Sequence, residues 1–294
     1  MAKINIQFTL FSAFYSPLIL IMSGGFLDEE GLDYEWSVAE PGKTAVESLL
    51  EGRAEVVQTA PSQSFGPLSR GEATSWAHFA QINEMDGFFI SGREADPDFT
   101  WEKLEGAEVV LFAGGQPNAM FRYACHKAGI NYDRIKSIAP GGALAIDSAF
   151  RDGQGTYVQQ QGPFPQQLHS EGLGHIVSQV GPWIGPNAFS SLAARRDWLE
   201  TEEARAFSRA YRKTRIYINE APAAEIAAAE RQFFPDIDHA ALVDCISTYQ
   251  KLGCWTPHPE ITREAFDVAQ EVFMYSGTLN DKVDYDNAVV LPPA

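Results

Sequence analysis

Gly42–Gln58 reads GKTAVESLLEGRAEVVQ, and about one hundred residues later Gly142–Gln159 reads GALAIDSAFRDGQGTYVQ. Ala45, Val46, Glu47, Ser48 and Leu50 fall against Ala145, Ile146, Asp147, Ser148 and Phe150. After the extra residue Asp152, Gly52, Val57 and Gln58 fall against Gly153, Val158 and Gln159. Each copy has the apolar spacing of an amphipathic helix, a glycine suited to end it, and a short apolar run of strand length. Solenoids stack shorter and more numerous repeats. Two copies at this long spacing instead predict two similar lobes, and two lobes facing each other make a cleft.

The sequence around each copy extends the likeness. Ile4–Phe8 predicts a strand, Thr9–Tyr15 a loop, Ser16–Gly25 a helix with Pro17 in its first turn, and Asp33–Val38 a second strand. Glu108–Phe112, Ala113–Gln116, Pro117–Ala128 with Pro117 at its start, and Ile135–Ile138 repeat that succession. Each half therefore reads β-α-β-α-β, whose short connections build a mostly parallel sheet flanked by helices. The apolar run Asn83–Ser91 lies between the halves, and the Gly- and Pro-rich run Gly181–Ser191 is placed to carry the chain back. The expected architecture is two-lobed α/β, with residues 1–88 and 189–294 in one lobe and 89–188 in the other. Helical patterns cover Asp197–Glu220, Ala221–Arg231, His239–Leu252 and Thr262–Tyr275, and the tail from Leu279 reads as irregular.

The chain has 294 residues and a net charge of −17. Such a surface repels nucleic-acid phosphate and anionic lipid, so neither is an expected partner. The apolar run Phe8–Met22 follows Lys3, but the alternation of Ile4, Ile6 and Phe8, the interrupting Pro17 and the lack of an A-x-A site read as the first strand and helix. As it stands the sequence reads as cytoplasmic, and as extracytoplasmic if a leader precedes it in the gene. The run is too short for a membrane span. Cys125, Cys245 and Cys254 form no CxxC and no zinc spacing with histidine, so no metal or other cofactor is expected. Cys125 falls in a helical apolar pattern as a buried thiol, and Cys245 and Cys254 read as two further free thiols, with pairing open to them in an oxidising compartment.

At larger scale the order of segments resembles a known family. Gly24–Trp36 (GGFLDEEGLDYEW), Glu40–Val57 (EPGKTAVESLLEGRAEVV), Trp101–Gly115 (WEKLEGAEVVLFAGG), Met120–Ile130 (MFRYACHKAGI) and Ile135–Phe164 (IKSIAPGGALAIDSAFRDGQGTYVQQQGPF) resemble solute-binding proteins of ABC importers. The resemblance is to the sulfonate, nitrate and thiamine-pyrimidine group, runs over most of the chain and is weakest after Pro259. It implies the type II periplasmic-binding fold, a small organic ligand such as a pyrimidine-like ring, a sulfonate or a carboxylate, and an ABC importer as partner of a monomeric binder. It also implies an alternative, because the group includes enzymes acting on pyrimidines or small aromatic acids. Two features depart from the group: exported members carry a leader, and the aromatic-acid-Pro that usually ends the second repeat is Gln159-Gln160-Gln161-Gly162-Pro163-Phe164 here.

In open parallel sheets ligands sit beyond the carboxyl ends of the strands. That rule selects Ser12, Phe14 and Tyr15 after the first strand, the Glu40-Pro41-Gly42-Lys43 turn with Glu40 and Lys43, then Thr59 and Ser62. In the other half it selects Gly114, Gly115, Gln116 and Asn118, then Gln160 and Gln161, with Trp183 near the return crossing. Phe14, Tyr15 and Trp183 can stack on a flat ligand or simply fill the core. Gly114-Gly115 can let the backbone approach a ligand at a helix start or only make a turn. Thr59 and Ser62 suit capping as well as binding. Gln160 and Gln161 offer donors and acceptors suited to a neutral ring. Arginine is absent from these loops and Lys43 is their one cation, which leans the ligand toward a neutral or amine-bearing heteroaromatic. No catalytic residue is assigned, since no cysteine falls in these loops, no base stands identifiably beside Ser12 or Ser62, and His78 lies in an apolar stretch.

Overall fold

The computed structural model describes residues 2–40 and 42–294, so Met1 and the Pro41 of the predicted turn lie outside the described residues. Ile4, Ile6 and Phe8 are buried along a strand at Ala2–Phe8 (β1), the alternation that the sequence announces. The other strands are Leu32–Val38 (β2), Val56–Thr59 (β3), Trp76–Asn83 (β4), Phe88–Gly92 (β5), Glu108–Val110 (β6), Lys136–Ile138 (β7), Tyr157–Gln161 (β8), His175–Gln179 (β9) and Ser190–Arg195 (β10).

The strands form two five-stranded sheets, in the orders β2-β1-β3-β10-β4 and β7-β6-β8-β5-β9. In the first, β1 runs parallel to β2 and β3, with Ile6 opposite Val56 and Phe8 opposite Gln58, while β10 runs antiparallel between β3 and β4. In the second, β6 runs parallel to β7 and β8, and β5 runs antiparallel between β8 and β9. Each sheet thus has a parallel β-α-β-α-β core completed by an antiparallel strand. The repeat is the third strand of each core with its preceding helix. Helix Ala45–Leu50 ends before Gly52 (φ 71°) and leads to β3; helix Ala143–Arg151 ends before Gly153 (φ 91°) and leads to β8. Both glycines take the left-handed conformation, which is costly for any residue with a Cβ.

Several elements go beyond the sequence reading, among them β4, β9 and helices Ser62–Ser69 and Phe164–Ser170. β4 is buried at all eight positions, so WAHFAQIN shows no alternation and its period does not declare a strand. The run Asn83–Ser91 is two strands' ends rather than one crossing segment: β4 stops at Asn83, Glu84–Gly87 turns, and β5 starts at Phe88. The return run Gly181–Ser191 opens with a short helix, Gly181–Ile184, before β10. The tail is less irregular than expected, with a helix at Tyr285–Ala288 and Val289 bridging to His78 of β4.

Helices Glu202–Glu220, Ala223–Glu230, His239–Leu252 and Arg263–Tyr275 follow β10. Thr201 and Thr262 cap the first and last by accepting the N–H of Ala204 and Ala265. Helix His239–Leu252 packs against both Ala223–Glu230 and Phe164–Ser170, and helix Arg263–Tyr275 packs against both Ser62–Ser69 and Gly115–Lys127. These helices therefore touch elements of both sheets. All three cysteines are buried and free. Among the described residues no helix is long and apolar enough to cross a membrane.

Candidate functional site

The loops after β1, β3, β6 and β8 converge where the two sheet bodies face each other. Hydrogen bonds join the bodies there. Ser12 Oγ donates to the Gly162 carbonyl at 2.6 Å, and Ser62 Oγ donates to Gln116 Oε1 at 2.7 Å. Gln116 Nε2 in turn donates to the Phe189 carbonyl at 2.6 Å. The buried Tyr249 hydroxyl accepts the Gly162 N–H at 2.8 Å and donates to the Gly87 carbonyl at 3.0 Å, so one side chain ties the end of β8 to the turn before β5.

A cavity of about 430 Å³ lies between the bodies, lined by Thr9, Leu10, Tyr15, Gly42, Gln58, Thr59, Ala60 and Gln63 from one side. Phe112, Gly115, Gln116, Pro117, Gln161, Phe189 and Ser190 complete it. A second, much smaller chamber of about 10 Å³ shares Leu10, Phe112 and Gln161 with it and is closed by Phe11, Ser12, Ala143, Ile146, Gln160 and Phe164. Among the described residues none that lines either space carries a charge. The walls are apolar and aromatic, with a few polar atoms, as small-molecule sites commonly are.

One of those polar groups is fixed by the surrounding backbone. Gln58 Oε1 accepts the N–H groups of Thr9 and Leu10 at 3.0 and 3.1 Å, so its orientation is set at the end of β3. Thr59 Oγ1, Gln160 Oε1 and Gln161 Oε1 are buried and have no partner among the described residues. Burial raises the Tyr15 phenol far above its usual range, so it stays a neutral donor. A buried polar atom without a partner is costly; Thr59 and Gln161 line the large cavity and Gln160 and Gln161 the small chamber, and their free oxygens mark where a ligand's polar groups would be received.

Between the sheets the chain crosses at Glu84–Gly87 and returns through Val180–Phe189. Asp86 is 1% exposed; one carboxylate oxygen accepts the Phe88 N–H at 2.7 Å and the other has no partner. Burial pushes this carboxyl up to about 7. The crossings touch: a Cβ on Gly181 would lie 2.3 Å from the Asp86 carbonyl oxygen.

Of the residues selected from sequence, Tyr15, Thr59, Gly115, Gln116 and Gln161 line the large cavity, and Ser12, Gln160 and Gln161 line the small chamber. Ser62 lies beside them, bonded to Gln116. Others sit elsewhere. Phe14 is wholly buried in the core against Tyr249 and Phe189, and its carbonyl accepts from Trp255 Nε1. Trp183 is 39% exposed and packs on Trp101 outside the cavity. Asn118 is committed to the Phe112 carbonyl and the Tyr132 hydroxyl. Gly114 precedes the helix without lining either space. Glu40 and Lys43 pair with each other at 2.8 Å beside a separate, open surface hollow. Gln58, Phe112 and Phe189 were not selected from sequence. Gln58 had a signal, since it matches Gln159 in the repeat; Phe112 and Phe189 are ordinary core aromatics until the two bodies are brought together.

The cysteine thiols lie off both walls, and burial raises all three. His78 bonds Ser191 Oγ through Nδ1 at 2.8 Å and is held neutral by burial, which lowers it to about 3. Among the described residues no three His, Cys, Asp or Glu side chains gather as a metal site.

This arrangement has close structural counterparts. The alkanesulfonate-binding protein SsuA of Xanthomonas axonopodis pv. citri, bound to MOPS, superposes with a TM-score of 0.75 and 14% identity, over 99% of each chain. The ligand-binding component of an ABC-type import system from Staphylococcus aureus, with zinc bound, gives a TM-score of 0.76 and 13% identity, over 99% of this chain and 97% of that one. The chain has the type II periplasmic-binding fold. In sequence, a Bacillus subtilis (strain 168) protein named as a candidate binding protein, YtlA, is 27% identical over 293 residues, covering 98% of this chain and 88% of the other. No family model matches the chain. Within the type II periplasmic-binding fold the cavity described above occupies the space between the two bodies, flanked by the crossing and return segments.

Proposed function

We propose that the protein captures a small organic molecule between two lobes, residues 1–88 with 189–294 and residues 89–188, and delivers it to an ABC importer. The ligand is a flat, uncharged heteroaromatic, a pyrimidine-like ring being the simplest case. The observation that carries this reading is the cavity of about 430 Å³ between the sheets, walled by aromatic and aliphatic groups and glutamines without a charged side chain. Tyr15 offers a ring edge and hydroxyl, and Phe112 and Phe189 offer apolar faces. A sulfonate or carboxylate would find no cationic side chain on these walls and would rely on backbone N–H groups at the start of helix Gly115–Lys127. The likeness to importer components supports delivery as the purpose of capture. The cysteines and His78, all off the walls, support binding rather than turnover.

A thermal-shift screen across pyrimidines, sulfonates, aromatic acids and polyamines tests the reading. A ligand at a hundredfold excess over its Kd stabilises the fold by about 2.7 kcal/mol. The expected result is a shift from uncharged rings, with the ligand recovered unchanged by mass spectrometry. A shift confined to anions refutes the ligand class, and a product of altered mass refutes the binder.

A further inference from the structure

Gln160 stands at the end of β8 on the same face as Val158, turned toward helix Ala143–Arg151. Its Nε2 lies 3.0 Å from Asp147 Oδ1. The other Asp147 oxygen lies 2.5 Å from Arg151 Nε, one turn along the same helix. An ionised carboxylate can only accept hydrogen bonds, so the end of the Gln160 amide that meets it must be the NH₂. The usual ambiguity of an amide's two ends is thereby removed by chemistry rather than by fitting. With Nε2 committed, the acceptor Oε1 remains free, on a residue that lines the small chamber. It is buried, on a residue 2% exposed, and has no partner among the described residues.

The small chamber that Gln160 lines adjoins the main cavity and shares Leu10, Phe112 and Gln161 with it. Ile146 and Phe164 line it beside Gln160 and Gln161, so an ammonium or guanidinium there would lose hydration for neutral amide oxygens alone. An anionic oxygen would face another lone pair. A compact, neutral N–H or O–H group satisfies both the size and the polarity.

From this geometry we infer that Asp147 fixes Gln160 as an obligatory acceptor, making the pair the specificity determinant for a ligand that carries a neutral hydrogen-bond donor, such as an aromatic amine. The inference rests on the ring-binding reading above and sharpens it: an unsubstituted ring fills the main cavity, but only a donor-bearing ring satisfies Oε1. Asp147 acts through Gln160 as a positioning residue. Replacing its carboxylate with an amide lets the Gln160 amide turn and removes the discrimination without removing the cavity.

The test compares isosteres. 4-Aminopyrimidine and 4-methylpyrimidine have nearly the same shape and differ in the donor. Both, with methanesulfonate and benzoate, are titrated calorimetrically into the wild type, Asp147→Asn and Gln160→Leu, at a pH where both rings are neutral, after circular dichroism has established folding. The expected result is a preference of about tenfold for the amine in the wild type, the worth of one satisfied buried acceptor, falling below about threefold in both variants. Gln160→Leu alters no charge pair and reads the inference even if Asp147→Asn fails to fold. A wild-type ratio near one, or a preference that survives in the folded variants, overturns the inference and leaves the ring-binding reading standing. Binding of either anion with neither ring bound overturns the ring-binding reading itself, and silence from all four probes overturns both.

Discussion

Asp86 carries a carboxyl group that burial holds near neutrality, at about 7, in the turn that joins the two sheets. Its linkage to stability has a definite sign. The unfolded carboxyl loses its proton in the usual carboxylate range while the folded one keeps it up to about 7, so stability falls as pH rises through that interval and is level above it. His78 acts in the opposite sense: the folded ring stays neutral down to about 3, so stability is lost as pH falls below the ordinary histidine range. Asp86→Asn should therefore tilt the pH profile of urea unfolding toward the His78 direction, gaining more than about 1.4 kcal/mol on the wild type between pH 5 and pH 8, the worth of one unit. Parallel profiles for the two proteins would show that Asp86 is solvated. At this scale the sequence was partly readable. Tyr15 lies beyond β1, Thr59 and Gln161 are the last residues of β3 and β8, and all three fall on the cavity wall, as the strand-end rule suggests. Phe14 and Trp183 were chosen for the same aromatic character, yet Phe14 fills the core and Trp183 lies on the surface against Trp101. Ring type says what a residue can touch and nothing about which way it points.

Among elements, the two crossings between the sheets are the most tightly defined. Gly181 starts the short helix that begins the return, and there is no room for a methyl group between it and the Asp86 backbone. Gly181→Ala should cost about 1–3 kcal/mol by overpacking, because a backbone carbonyl cannot swing aside as a side chain can. Thermal unfolding measures this, and an unchanged midpoint would mean that the crossings are not in contact. The repeated helix–glycine–strand unit was legible because helix period, stop and apolar strand agree with one another over Gly42–Gln58 and Gly142–Gln159. The antiparallel insertions were not. β10 pairs with strands more than one hundred residues away in sequence, and no local pattern encodes a partner at that distance.

At the scale of the whole molecule, the C-terminal helices hold the two bodies together at sites away from the cavity. The Tyr275 ring stacks on His126 at 4.5 Å and meets Tyr123 edge-on at 5.6 Å, joining helix Arg263–Tyr275 to helix Gly115–Lys127. On the proposed capture between two lobes, a cleft that parts to exchange ligand also parts these rings, so their loss should favour release. With an aromatic pair worth about 0.5–1.5 kcal/mol, Tyr275→Ala should release a bound ligand about two- to tenfold faster in stopped-flow displacement. An unaltered release rate would place these rings outside the moving contact.

The position of β10 also bears on synthesis. The second sheet is built from one continuous stretch, Phe88–Gln179, whereas β3 and β4 of the first are joined only through β10. A chain emerging from the ribosome can therefore complete its second sheet before its first. Strands β1 to β4, though made before the second sheet, must wait for Ser190–Arg195 with two strand edges exposed. The vulnerable interval in the life of this protein comes before it has ever met a ligand.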